Sequence, residues 1–164
     1  MAWRGSTTTQ HRLLSCLPYI LPLIEVRQFG DLLFSLFPFL ELLYVPLSPV
    51  AQLYKSIPFG DFILFFALYL LVVRNEKVQH FIRFHTLQAL LLSIFTYLCT
   101  AVLQLVGFVQ KGVSLPLDMF WSVMFTLIFL AVVGASIFSI VQAVRGLYAE
   151  IPLISEAAYN GTRN

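Results

Sequence analysis

Charge is what this chain has least of. Lys, Arg, Asp and Glu make up 11% of its 164 residues, against about 25% in an average soluble domain. So few polar groups cannot cover a water-facing surface, which excludes an ordinary soluble domain. The net charge of +2 is too small to suggest a nucleic-acid partner. Cysteine is nearly absent too. Cys16 and Cys99 form no C-x-x-C and no disulfide framework. His80 and His85 stand five apart, on different sides of a helix, and no carboxylate or cysteine completes a metal-ligand spacing. There is no G-x-S-x-G, H-E-x-x-H, P-loop or dinucleotide fingerprint. The expectation is a non-enzyme without metal or cofactor.

What the chain does have is hydrocarbon. Hydrophobic residues make up 59% of it, and phenylalanine occurs 16 times. A bilayer core needs about 20 apolar helical residues. The run over 119–144 meets that need with no charge inside it, the run over 86–109 meets it with scattered hydroxyls and amides, and 59–73 is short but compact. Ser56 with Pro58, and Pro116 with Asp118, read as helix starts. Gly146, with Pro152 beyond it, reads as the stop of the last span. Residues 11–55 contain five prolines and three acids among apolar residues, including Pro18, Pro22, Pro38 and Glu41. Irregular backbone cannot face lipid unsatisfied. We expect one crossing in this region, with the remainder interfacial and with Glu25, Arg27 and Asp31 as a polar knot between its apolar halves.

Positive charges then orient the chain. With four spans and an inner N-terminus, the inner segments carry Arg4, Arg12, Arg74, Lys77, Arg83, Arg145 and Arg163, and the outer loops carry Lys55 and Lys111. That is the asymmetry the positive-inside rule expects. The fold class is therefore an all-α polytopic membrane domain of about four transmembrane helices. Both termini are inside, and a C-terminal tail spans 147–164.

The third span is two-faced. Wound at about 100° per residue, His85, Gln88, Ala89, Ser93, Thr96, Cys99, Thr100 and Gln104 share one half of the circumference. Leu87, Leu90, Leu91, Ile94, Phe95, Tyr97 and Leu98 share the other, which suits lipid. Glutamines are expensive in hydrocarbon unless paired. The polar half is a candidate for interhelical hydrogen bonding or for the lining of a path. His85 is read as an interfacial hydrogen bonder, with a pH switch as the alternative. Glu41 is a candidate path-lining acid or an interfacial residue, with Arg27 or Lys55 as its counter-ion. Ala131, Ala135, Ser139 and Ala143, with Gly134 nearby, form a small-residue stripe for close helix packing. The partner could be this chain or a second copy. Arg74, Lys77 and Arg83 are the topology charges of the inner loop.

Three stretches carry more than composition: YKSIPFGDFILFFALYLLVVRN, FIRFHTLQALLLSI and GLYAEIPLISEAAY. They resemble the four-span, twenty-kilodalton-class subunit of the plastid inner-envelope translocon, the Tic complex. The resemblance runs from about Leu17 to Tyr159, and its most specific parts are Phe81–Ala89 and Tyr148–Tyr159. It implies a translocon subunit whose partners are the lipid bilayer, other translocon subunits or further copies, and preprotein chains in transit. It offers no catalytic residues. No Ser/Arg-rich transit peptide is read at the start, so a plastid-encoded or cyanobacterial member is expected. Its location would be the plastid inner membrane, or a cyanobacterial plasma or thylakoid membrane. A small-solute or ion transporter using Glu41, His85 and Gln88 is the alternative, and a membrane scaffold the third reading.

Overall fold

Backbone amides buried in hydrocarbon must find partners within the chain, and a helix supplies them locally. In the computed structural model, which describes residues 7–113 and 118–163, the secondary structure is all helical. Arg4 and Pro116 lie outside the described residues.

The chain opens with α1 (Thr9–Cys16), where Thr8 caps the first turn by accepting from His11 N–H. A 3₁₀ turn over Leu17–Tyr19 leads into α2 (Ile20–Val26), and a second over Arg27–Phe29 follows it. Pro18 sits in the first turn of its 3₁₀ segment, where its missing N–H leaves no bond unmade. Residues 9–29 therefore stay helical despite two prolines. Short helices follow: α3 (Asp31–Leu36), α4 (Glu41–Tyr44) and α5 (Ser48–Lys55). Leu36, Phe37, Phe39, Leu42, Leu43 and Val45 on this stretch are exposed.

The chain then bends by 102° into α6 (Gly60–Leu68), which closes on a wide π turn over Tyr69–Val73. The helix start read at Ser56 lies elsewhere. Ser56 Oγ donates to the Gln52 carbonyl and closes α5, while Phe59, in the left-handed region, precedes α6. The long helices are α7 (His80–Val113) and α8 (Asp118–Val144). α7 starts six residues before the uninterrupted apolar run because Phe81 and Phe84 already have apolar surroundings there. α8 ends at Gly146, whose φ is +75°. Leu147 N–H bonds to the Gln142 carbonyl and Gly146 N–H to the Ala143 carbonyl, the paired closure that favours glycine at this position. A short tail helix, α9 (Ile154–Thr162), completes the chain.

Among the described residues two helices, His80–Gly112 and Asp118–Val144, are long and apolar enough to cross a membrane, and a third crossing is counted if the bent pair Pro38–Lys55 and Gly60–Val73 is one span. Contacts give the directions. Tyr19 meets His85, Glu25 meets Tyr97 and Gln28 meets Thr100, so α1–α2 runs parallel to α7. Arg12 reaches the Val144 carbonyl and Cys16 the Ile140 carbonyl, so it runs antiparallel to α8. Phe62 stacks on Tyr97 while Arg83 bonds to the Val73 carbonyl, so α6 is antiparallel to α7. The start of α1, the loop after α6, the end of α8 and the tail thus gather at one end of the bundle.

Candidate functional site

That gathered end holds a network of buried polar side chains. After Gly146 the backbone leaves the helix, and the carbonyls of Leu147 and Ala149 have no helical donors to meet them. Side chains of α7 supply the donors. His85 Nε2 faces the Leu147 carbonyl at 3.2 Å. A carbonyl can only accept, so Nε2 carries the proton. Nδ1 of the neutral ring then accepts from the Tyr19 hydroxyl at 2.9 Å. Gln88 Nε2 donates to the Ala149 carbonyl at 3.1 Å, and its Oε1 lies 3.3 Å from the same Tyr19 hydroxyl. Tyr19, His85 and Gln88 are all fully buried. They form a clamp in which one helix start and one 3₁₀ turn grip the tail backbone.

Around the clamp lies an aromatic shell. Phe81 and Phe84 meet the Tyr148 ring edge-on, with centroids 5.3 and 4.9 Å apart, and Phe84 meets Tyr159 at 4.5 Å. His80 closes the outer side. Thr162 gives its hydroxyl proton to the Ala158 carbonyl at 2.8 Å, so its oxygen accepts from His80 Nε2–H at 3.2 Å. His80 Nδ1 then accepts from the Tyr148 hydroxyl at 3.1 Å. The two stretches that carry the family resemblance, at the start of α7 and in the tail, are the two jaws of one contact.

α9 also changes the exposure of α7. Leu87 and Leu90, expected on the lipid side, are buried under Ala158 and Tyr159. Ile94, Phe95 and Leu98, one to three turns further on, remain exposed. The helical wheel divides α7 correctly only where no tail covers it. Tyr97, also expected toward lipid, donates instead to Glu25 Oε1 at 2.5 Å, and Ser93 faces the same carboxylate. Glu25 is only 8% exposed. Sequence reading placed it in a polar knot and left its mate unidentified, since a Tyr among leucines carries no pairing signal.

The other candidate residues fall in separate places. Thr96 is fully buried and returns its hydroxyl proton to the Leu92 carbonyl. Thr100 accepts from Gln28 Nε2 at 3.2 Å. Together with Gln28, Thr100 lines a cavity of about 750 Å³ at the far end of the bundle, shared with exposed Gln104 and with Lys111, Asp118 and Trp121. Trp121 Nε1–H donates to Gln110 there. Glu41 is exposed and pairs with Arg27 at 3.2 Å, on the wall of a separate cavity of about 720 Å³ that also includes Lys55. In α8, Ser139 and Ala143 are buried and Ala135 packs near Tyr19, while Ala131 and Gly134 face away from the bundle. Arg74 and Lys77 are exposed, whereas Arg83 is buried, with Nε donating to the Val73 carbonyl at 2.8 Å. There it neutralises the negative end of the preceding helix. Among the described residues, no three His, Cys, Asp or Glu side chains are grouped as metal ligands.

The family model described as chloroplast import apparatus, Tic20-like, matches residues 7–158. This chain belongs to the Tic20 family. A Tic20 family protein of Synechocystis is 38% identical over 99% of both chains. Protein TIC 20-II, chloroplastic, of Arabidopsis thaliana is 31% identical over 93% of this chain and 72% of its own length. The Tic20 family protein Ycf60 of Gracilaria tenuistipitata is 33% identical over 92% of this chain and 74% of its own. The Tic20 match takes in the α7 jaw of the clamp and the tail as far as Ala158.

Proposed function

We propose that this Tic20-family chain is a non-enzymatic bracing subunit of a membrane protein-translocation apparatus. It would serve preprotein transport across the plastid inner envelope, or the cyanobacterial counterpart of that process. The family assignment supports the setting. One observation supports bracing over pore formation. The polar half of α7 is committed to intramolecular bonds at His85, Gln88 and Thr96, and reaches surface only further along, at Cys99, Thr100 and Gln104. A bundle whose polar seam is closed by its own tail encloses no path for a polypeptide. The path then runs alongside it, shared with other subunits or a second copy. In this reading the chain crosses four times, through residues 9–29, α6, α7 and α8, with both termini on the stromal or cytoplasmic side. The basic residues at the gathered end support that orientation.

The test is photo-crosslinking to a stalled preprotein. A photoreactive residue at Gln104, on the rim of the far cavity, is expected to label the preprotein, and one at exposed Leu98 to label lipid. Labelling of preprotein from buried Gln88 instead would show an open seam and refute bracing. Absence of preprotein labelling from both Gln104 and Thr100 would refute the translocation role at this surface.

A further inference from the structure

A groove of about 580 Å³ runs along the bundle between the 11–24 segment and the facing sides of α6 and α7. That volume lies within the roughly 300–1,000 Å³ typical of small-molecule sites. Its walls are two aliphatic ladders: Leu14, Leu17 and Leu21 on one side, and Leu64, Leu68 and Val72 on the other. The spacing of three and four residues follows the helical repeat, so each ladder is one continuous stripe. Such walls offer an extended hydrocarbon chain contact along their whole length and offer a polar solute nothing.

One end of the groove is different. His11, Lys77, Gln79 and Thr86 are its polar lining residues, and they belong to the elements that gather at the basic end of the bundle. Lys77 is exposed and forms no ion pair among the described residues. His11 Nδ1, Gln79 Oε1 and Thr86 Oγ1 are buried with no hydrogen-bond partner among the described residues. Thr86 is fully buried. Exposed Arg74 stands in the same loop as Lys77, and Glu76 is the acid beside them. Buried and without partners, these atoms cost free energy until a ligand meets them: the Thr86 hydroxyl can donate to an anion, whereas the Gln79 amide oxygen only accepts and calls for a hydroxyl on the same headgroup, so it is the Lys77 and Arg74 charges that select the anion. The ligand these features fit is apolar over most of its length, with a polar, negatively charged end.

We propose that this groove binds one anionic glycerolipid, with an acyl chain along the Leu14–Leu21 and Leu64–Val72 ladders and a phosphate-type headgroup at Lys77 and His11. Basic pockets between membrane helices on the inner side are suited to such headgroups. The charge also decides against an amphipathic peptide of the targeting type, because those segments are Arg-rich and acid-poor and Lys77 and Arg74 would repel them. The site does not depend on which cargo the chain serves.

The full chain is reconstituted in nanodiscs of equal phosphatidylglycerol and phosphatidylcholine, then released and weighed by native mass spectrometry. One phosphatidylglycerol is expected to stay bound, preferred over phosphatidylcholine by about fivefold per contributing cation. Lys77→Gln is expected to remove about fivefold of that preference, Lys77→Arg to keep it, and Lys111→Gln, at the far end, to leave it unchanged. Leu68→Trp fills the groove and is expected to abolish retention of either lipid; should that variant misfold, the lysine series decides alone. Equal retention of both lipids, or an unchanged preference in Lys77→Gln, overturns the proposal. Displacement by glycerol phosphate as effective as by the whole lipid also overturns it, since the ladders would then be idle. So does displacement by a basic targeting peptide crosslinked within the ladders.

Discussion

Tyr19→Phe tests the clamp at its centre. The substitution keeps the ring, so the edge-on contact with His85 at 5.9 Å survives. It removes one hydroxyl. His85 Nδ1 loses a 2.9 Å donor and Gln88 Oε1 its 3.3 Å neighbour, and both residues are fully buried. One proton cannot serve both acceptors at full strength, so the loss amounts to about one strong bond. An orphaned buried acceptor costs about 1–3 kcal/mol, while hydrogen bonds in membrane bundles average about 0.6 kcal/mol. A loss of about 1–2 kcal/mol lies between these bounds, which corresponds to about 3–6 °C in Tm for a chain of this size. The assay is thermal unfolding in mild detergent, followed by reaction of half-buried Cys99 with a thiol dye. A Cys16→Ser background leaves one reporter. The double variant with His85→Phe is expected to be less destabilised than the sum of the two singles by about 1 kcal/mol, because the shared bond is lost only once. If Tyr19→Phe leaves Tm unmoved, or the pair adds to within about 0.3 kcal/mol, the hydroxyl does not hold the clamp and the tail docks by packing alone.

Two glycines give sharper structural tests by the same assay. A Cβ on Gly60 would overlap the Tyr54 carbonyl oxygen, which is backbone and cannot swing aside. Gly60→Ala is therefore expected to open the α5–α6 bend and cost about 3 kcal/mol or more, the upper range for overpacking. Wild-type Tm would show that the bend relaxes freely. Gly146→Ala forces a side chain into the left-handed region, at about 1–2 kcal/mol. Its Cβ would also lie 2.8 Å from Thr7 Oγ1 and 2.9 Å from Arg12 Nε. Loss of Tm and faster proteolysis of the tail are expected together. A fall in Tm with no change in tail proteolysis would separate this closure from tail docking.

Much of this architecture was legible because lipid simplifies the code. An uncharged run such as 119–144 can hardly be other than a buried or spanning helix, and α8 occupies nearly that range. Gly146 as a stop follows from the same residue chemistry in any solvent. The polar side of α7 was legible as a pattern, since Gln and His do not sit in hydrocarbon without partners. What the pattern could not supply was the partners. Two of them are backbone carbonyls, at Leu147 and Ala149, and every residue has a carbonyl. Nothing in their side chains marks them as acceptors. The bend at Phe59 was equally silent, because a left-handed phenylalanine breaks the usual preference for glycine.

These hidden partners are what left the polar half of α7 with two readings, interhelical bonding or the lining of a path. A stripe of His, Gln, Ser and Thr looks alike on paper whether it lines water or grips another segment. The distinction lies in whether enough complementary groups exist within the chain, and here the tail provides them. α9 is only 9 residues long, too short to be stable alone, so its order depends on the seam it covers. Seam and tail stabilise each other: the carbonyls after Gly146 need donors, and the buried imidazole and amide need acceptors. Neither could face hydrocarbon by itself. A bundle closed in this way keeps its open polar surface at Gln104, at the end away from the tail, and that is the surface the bracing proposal leaves for a partner.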